Sequence, residues 1–559
     1  MLTFTYSSLF SLVLLSSPVL GLGLHNLEFT RQVDLAAELG IDPSQYLNDR
    51  STFHSLISHD PNQAPAIPAE YVEIPIDHSN VSVGTYNNRY WVNEEFFVPG
   101  SPVILYDAGE SGAEAIAQSR LTSDLSFFRK ILQEFQAVGI VWEHRYFGDS
   151  LPFPVNNNTP AEHLQYLTTK QALQDIPHFA KTFCRKSHPE LDLTPKSTPW
   201  VMVGGSYAGS RAAFTRNEYP DTIFAAFSSS APVQARVDMG IYYEPVYRGM
   251  VANGLGNCTK DIHAALDYID EQLADPQTSA SIKKLFLGDG AENNSNEDFT
   301  TALGALYGFF QNYGTAGTSV GSLEEFCNYL ELDPETSQTA GPEGLAPTLG
   351  NKHLAERWAS WPVFTPLVNL NTGANCRKDD DSLPLDCELS SALTDPDSIS
   401  WTWMYCTEWG FLQSNNFGPH GLLSRYQTLE YQQWICDRQF PGMIPAHPQA
   451  DALNAELGGW DIRPSNVYFS GGEFDPWRTL SIVSTEEIAP QDVTWTTEIP
   501  ECGETSTNTV FGQILENSMH CYDFQLVSTA GKGSRELFNA ALKEWLKCYQ
   551  PAEGSGSKH

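Results

Sequence analysis

The apolar run 200–203 (WVMV) leads directly into Gly204-Gly205-Ser206-Tyr207-Ala208-Gly209, and a helix-compatible stretch follows. A buried strand that turns at once into a helix must bend sharply, and small residues around the turn let the two approach. The pattern is G-x-S-x-G with Ala208 in the last place. It is that of a nucleophile elbow, where a serine is held exposed at a strained turn. Ordinary strand-end turns share the motif by chance, so the rest of the chain must supply partners for Ser206.

Other apolar runs lie at 103–106 (VILY), 138–142 (VGIVW), 223–227 (IFAAF) and 467–470 (VYFS), with a weaker one at 493–497. They alternate with longer amphipathic stretches, which predicts an α/β class with a parallel sheet and crossover helices. With the elbow, this reads as an α/β-hydrolase core. More than 200 residues of different character separate the fourth run from the fifth. They carry helix-like periodicity, as in HAALDYIDEQLAD, and Trp-dense runs at 358–364 and 401–411. The expected organisation is a core over 69–235 and 456–548, a large inserted helical cap domain over 236–455, and a disordered tail at 549–559. Residues 22–68 are polar and Pro-containing and read as an N-terminal extension or pro-segment.

An elbow serine needs a histidine base and an acid, and this fold delivers them in the order Ser, acid, His. Beyond 467–470 the chain has two histidines, His520 and the terminal His559. His559 belongs to the tail, so His520 is the expected base. The acid belongs in the loop after the preceding strand, where FSGGEFDPW offers Asp475, with Glu473 as competitor. The oxyanion hole is expected to use the backbone N–H of Tyr207. A second donor is expected from the loop Asp107–Gly112, with Gly109 as the candidate. Arg145, flanked by Glu143 and Asp149, is either a paired network beneath the site or a solvated charge cluster.

Residues 1–21 read as a secretory signal peptide, with an apolar run too short to span a bilayer. Ten cysteines without a C-x-x-C pair argue for disulfides in an oxidising compartment, and Cys376 with Cys387 and Cys502 with Cys521 are the near neighbours. Acceptor sequons for glycosylation stand at Asn80, Asn157, Asn257 and Asn293. Secretion is the expectation, with an acidic lysosome-like compartment as the alternative. The formal charge of −36 disfavours nucleic acid and anionic membranes as partners. No zinc, P-loop or dinucleotide fingerprint is present, so neither a metal nor a cofactor is expected.

The segments NNRYWV (87–92), EHRYFGDSLPF (143–153), WVMVGGSYAG (200–209), SSSAPV (228–233), CTE (406–408), GGEFDPW (471–477) and MHCYDF (519–524) together resemble one family. It is that of lysosomal Pro-X carboxypeptidase and dipeptidyl-peptidase II, and most of all its fungal secreted prolyl-peptidase branch. The segments span about 70–548 in order. The resemblance implies a helical cap over an α/β-hydrolase core and cleavage of peptides after proline. It places Ser206, Asp475 and His520 at the triad positions and Trp477 in the wall of a proline pocket. Where the family has an Asn-Glu-Gly run, this chain has Ala108-Gly109-Glu110-Ser111-Gly112, with Glu110 a candidate contact for a substrate amine.

Two alternatives stay open. A serine carboxypeptidase of the carboxypeptidase Y type shares the S-Y-A-G elbow, but its N-G-G-P-G loop is missing. A catalytically inactive binding protein on the same scaffold is expected to have lost triad members, and here all three are present.

Overall fold

Strand β5 (Trp200–Gly205) runs through the middle of a nine-stranded sheet of order β1-β2-β4-β3-β5-β6-β9-β11-β10. The structure, a computed structural model, describes residues 27–45, 66–415 and 418–551. The expected signal peptide, much of the expected extension and the last eight residues lie outside them. The remaining strands of the sheet are β1 (Glu70–Pro75), β2 (Thr85–Asn93), β3 (Val103–Asp107), β4 (Val138–Trp142), β6 (Ala225–Ser229), β9 (Val467–Gly472), β10 (Thr494–Thr496) and β11 (Thr509–Leu515). The pairs β1–β2 and β2–β4 are antiparallel, and every other neighbour is parallel. This is the α/β-hydrolase architecture, with β6 beginning two residues later than the run 223–227 suggested.

Successive side chains of a strand point to opposite faces, and both faces of this sheet are covered. Ile104, Val201, Val203, Phe227 and Tyr468 pack on one side with Phe538, Leu542 and Trp545 of the helix Thr529–Leu546. Leu105, Ile140, Met202 and Phe469 face the other side, against Leu173 and Phe179 of the helix Thr169–Ala180 and Phe214 of the helix Tyr207–Glu218. Burial on both faces explains why the central strands read as unbroken apolar runs.

Between β6 and β9 the chain is mostly helical, as in Gly256–Ala274, and adds a small parallel pair, β7 (Arg236–Asp238) with β8 (Gly410–Leu412). Disulfides join Cys258 to Cys327, Cys376 to Cys387, Cys406 to Cys436 and Cys502 to Cys548. The pairing of Cys502 with Cys521 is therefore corrected: Cys521 is free and sits beneath the turn after β5, with its Sγ against Gly205. Of the sequon residues, Asn80, Asn157 and Asn293 are exposed and Asn257 is half-buried.

Arg145 is fully buried and pairs with Asp175, its Nη2 2.6 Å from Oδ1. Glu143 and Asp149 pair instead with Arg89, at 2.7 Å and 2.8 Å. The flanking carboxylates thus belong to a different cation, because neighbours along a loop project to different sides.

Candidate active site

The turn after β5 is built by close approach. A Cβ on Gly204 would stand 2.2 Å from the Ala208 carbonyl oxygen, and one on Gly209 would stand 2.8 Å from the Ser229 oxygen. Only glycine lets the helix Tyr207–Glu218 start this near the strand. Ser206 sits between them at φ 58° and ψ −132°, and its N–H donates to the Ser229 carbonyl at 2.9 Å. A non-glycine residue in this region carries strain of about 1–3 kcal/mol, which the neighbouring strand bond helps to hold. The helix starts at Tyr207, and its first N–H groups have no intrahelical acceptor.

Asp475 follows β9 and caps the short helix Pro476–Leu480, its Oδ1 accepting the Trp477 N–H at 2.9 Å. The same oxygen lies 2.9 Å from Nδ1 of His520, which follows β11. Asp475 is fully buried and His520 is 3% exposed, so the pair is shielded from water. Burial works against a charged imidazole, but the Asp475 carboxylate outweighs it and raises the His520 pKa well above its ordinary value. Glu473, the competitor, turns away and accepts the Asn517 N–H at 2.9 Å.

Ser206 and His520 line one cavity, together with Gly109, Glu110, Tyr207, Trp401, Phe411 and Trp477. It lies beyond the carboxyl ends of β3, β5 and β9, where open α/β sheets place their ligands. Trp477 is half-buried, donates its indole N–H to Gln311 Oε1 at 2.9 Å, and meets Phe411 edge-on at 5.1 Å. Trp401 reaches the cavity, whereas Trp403 and Trp409 are buried in the core.

One expectation fails here. The Gly109 N–H donates to Asp107 Oδ1 at 2.9 Å and is not free for an oxyanion. Asp107 is itself held by Arg211 at 2.7 Å, both fully buried. Glu110 follows, and burial pushes its carboxyl up to about 7.

Sequence reasoning missed three supports. Gln311 accepts the His520 N–H through its carbonyl at 2.9 Å, while its side chain holds Trp477 and the Tyr242 hydroxyl. Arg211 fixes Asp107 at the start of the loop Asp107–Gly112. Asp523 accepts hydroxyls from Ser229 on β6, Ser470 on β9 and Ser534, fastening the histidine loop to the sheet. The sequence signal for Asp523 is its place in MHCYDF, three residues after His520, which gives it no role by itself.

A serine at a strained elbow, a histidine in the same cavity and a buried aspartate on that histidine form the candidate site of this α/β-hydrolase fold. The model of the family "Serine carboxypeptidase S28" matches residues 75–493, three-quarters of the chain. The chain belongs to this family. The match contains Ser206 and Asp475 and ends before His520.

Curated relatives agree. A "Probable extracellular serine carboxypeptidase" of Arthroderma benhamiae is 28% identical over 80% of this chain, and the alignment spans 64% of that protein's length. The "Thymus-specific serine protease" of Mus musculus is 25% identical over 86% of this chain and 88% of its own. The "Lysosomal Pro-X carboxypeptidase" of Homo sapiens is 24% identical over 75% of this chain and 80% of its own.

Proposed function

We propose that the protein is a secreted serine peptidase that hydrolyses peptide bonds after proline through Ser206, His520 and Asp475. The observation that carries this reading is the 2.9 Å contact from His520 Nδ1 to buried Asp475, with His520 and the strained Ser206 in one cavity. With Nδ1 donating to Asp475, His520 keeps Nε2 as its basic nitrogen. Ser206 Oγ attacks the carbonyl, and Nε2 takes its proton and passes it to the leaving amine. Asp475 stabilises the imidazolium formed on the way, and water then hydrolyses the acyl-enzyme.

In this reading the Tyr207 N–H, at the start of its helix beside the cavity, is the first oxyanion donor. With the Gly109 N–H bound to Asp107, a second donor has to come from another N–H at the mouth of the cavity. Proline is compact and fixed in φ, so a rigid aromatic wall recognises it at low entropic cost. Trp477, with Phe411 and Trp401, supplies that wall. A secreted location fits the paired cysteines and the extracellular or lysosomal descriptions of the relatives.

Labelling with a fluorophosphonate and mapping the modified peptide tests the reading. Modification at Ser206, abolished in Ser206→Ala, is the expected result. An unlabelled wild type would favour the binding-protein alternative.

A further inference from the structure

Gln311 lies in the insertion between β6 and β9, on the short helix Phe310–Tyr313, and its surroundings touch both loops that carry the candidate acid and base. A Cβ on Gly314 would stand 2.8 Å from Cε of Met519, the residue before His520. Phe310 and Phe474, the residue before Asp475, close on the same Gly249, whose Cβ would meet them at 2.8 Å and 3.5 Å. The Gln311 carbonyl accepts the His520 N–H at 2.9 Å, a bond that does not depend on the side chain. Beside Trp477, Gln311 lines the cavity at Ser206.

An indole N–H can only donate, so the Trp477 bond at 2.9 Å turns the Gln311 side-chain oxygen toward the ring. The Tyr242 hydroxyl donates to the same oxygen at 3.0 Å, and both of its lone pairs are then taken. The Trp477 ring stands between the edge-on rings of Phe411 at 5.1 Å and Tyr242 at 5.7 Å, with Gln311 as the polar tie that sets its tilt. The amide nitrogen of Gln311 is left over: its two N–H groups find no acceptor among the described residues. Asn312, the next residue, differs, because its amide donates to Asp34 of the N-terminal helix Leu27–Leu39 at 2.5 Å. That helix also lines the cavity, and its Glu38 pairs with Arg120. Gln311 thus presents an uncommitted donor at the rim of the Trp477 wall.

Proline has no N–H, so a prolyl residue in a cleft offers its backbone to the protein only through carbonyl oxygens. The residue before proline is confined to extended backbone, which sets the direction of its carbonyl relative to the pyrrolidine ring. A donor carried by the same side chain that orients the wall for that ring suits this carbonyl. Resting on the serine-peptidase reading above, we propose that Gln311 is a substrate-binding residue that sets specificity. Its side-chain oxygen holds Trp477 in place as the wall, and its amide donates to the carbonyl of the residue preceding the proline. The substrate class is a peptide with at least one residue ahead of the proline; a peptide that begins with proline lacks this carbonyl and forgoes the bond.

The test uses the full chain as wild type, Gln311→Met and Gln311→Asn. The substrates are Ala-Pro-Phe, its analogue with sulfur in place of the Ala carbonyl oxygen, and Ala-Ala-Phe, all with free ends. Sulfur is the weaker acceptor and leaves the scissile bond untouched, so the oxo-to-thioxo ratio of kcat/KM reads the bond to the amide. Wild type should prefer the oxo peptide by about three- to tenfold, the range of one hydrogen bond. Gln311→Met, similar in length but without the amide, should bring that ratio near one, and it should lower the Pro/Ala ratio because Trp477 loses its acceptor. Gln311→Asn, a methylene shorter, should lose both in part, and it serves as the reader should Gln311→Met fail to fold. Fluorophosphonate labelling of Ser206 reports an intact site. A merely structural role would slow all three peptides alike. A wild-type oxo-to-thioxo ratio near one, or either ratio unchanged in a labelled variant, therefore overturns the proposal. A wild type that cuts Ala-Ala-Phe and not Ala-Pro-Phe refutes the prolyl reading instead, and the oxo-to-thioxo ratio is then read on Ala-Ala-Phe. Absence of labelling sinks both.

Discussion

Asp475 uses one carboxylate oxygen for both the Trp477 N–H and His520, while Oδ2 is buried without a partner. Exchange to asparagine keeps the size but puts an amide where the imidazole N–H must be accepted, favouring the wrong tautomer. Asp475→Asn should therefore lower kcat by about 10⁴-fold, and Ser206→Ala should abolish turnover, with secretion intact; steady-state kinetics on the purified variants reads both. Trp477→Ala should cost prolyl substrates about 1–3 kcal/mol in kcat/KM and alanyl substrates less, so the Pro/Ala ratio must fall. An unchanged ratio removes Trp477 from the pocket. Chain order alone points to Ser206, Asp475 and His520 as the candidate triad, because two histidines follow the strand 467–470 and the loop after it offers two acids. Gly109 was not legible as occupied. Its N–H is captured by the side chain of Asp107, whose orientation is fixed by Arg211, more than a hundred residues away.

At the level of elements, the elbow depends on how closely β5 and its helix approach. Gly204→Ala should lower the melting temperature, because its Cβ would stand 2.2 Å from the Ala208 oxygen and strand and helix must part; overpacking of this kind costs about 1–3 kcal/mol. Gly533, in the helix Thr529–Leu546, has nothing within 4 Å of an added Cβ, so Gly533→Ala should raise stability by about 0.5–1 kcal/mol. Calorimetry on the two variants should find shifts of opposite sign.

The N-terminal helix gives a pH prediction. Burial raises the Glu38 carboxyl from 4.5 to about 7 despite Arg120, with Asp34 and Asp523 adding to the rise. Asp34 is also raised by burial, opposed by His520, Asn312 and Arg120, and Glu110 faces it across the cavity beside His520 and Asp107. The docked state holds protons that the undocked helix releases. Docking is therefore fully favoured below 4.5 and weakens as pH rises through about 7. Amide exchange over Val33–Leu39, corrected for intrinsic rates, should show greater protection at about pH 5 than at about pH 8; equal protection contradicts it. The sequence reading treated 22–68 as one polar extension, and averaging over its prolines hid an amphipathic stretch whose apolar face includes Val33, Ala36 and Ala37.

Across the whole molecule, the central parallel strands β3 to β6 and β9 were legible because burial on both faces writes a continuous apolar run. The antiparallel edge was not: in β2, TYNNRYWVN, polar Asn88 and Arg89 are buried for pairing rather than for apolar contact. β11 was missed because TVFGQIL is interrupted by Gly512 and Gln513, and Gly512 is there because a Cβ would meet the Phe469 oxygen at 2.3 Å. Cys502 pairs with Cys548 and not with Cys521, nearer in sequence, because the chain between 502 and 521 passes along β11 and emerges at the opposite end of the sheet.

The central claim is that this scaffold cuts after proline with Ser206. Mass spectrometry of the products from a proline-containing peptide, incubated with wild type and with Ser206→Ala, tests it most directly. The account predicts new ends on the carboxyl side of proline in the first case and intact peptide in the second. Cleavage at other residues, or the same products from Ser206→Ala, would contradict it.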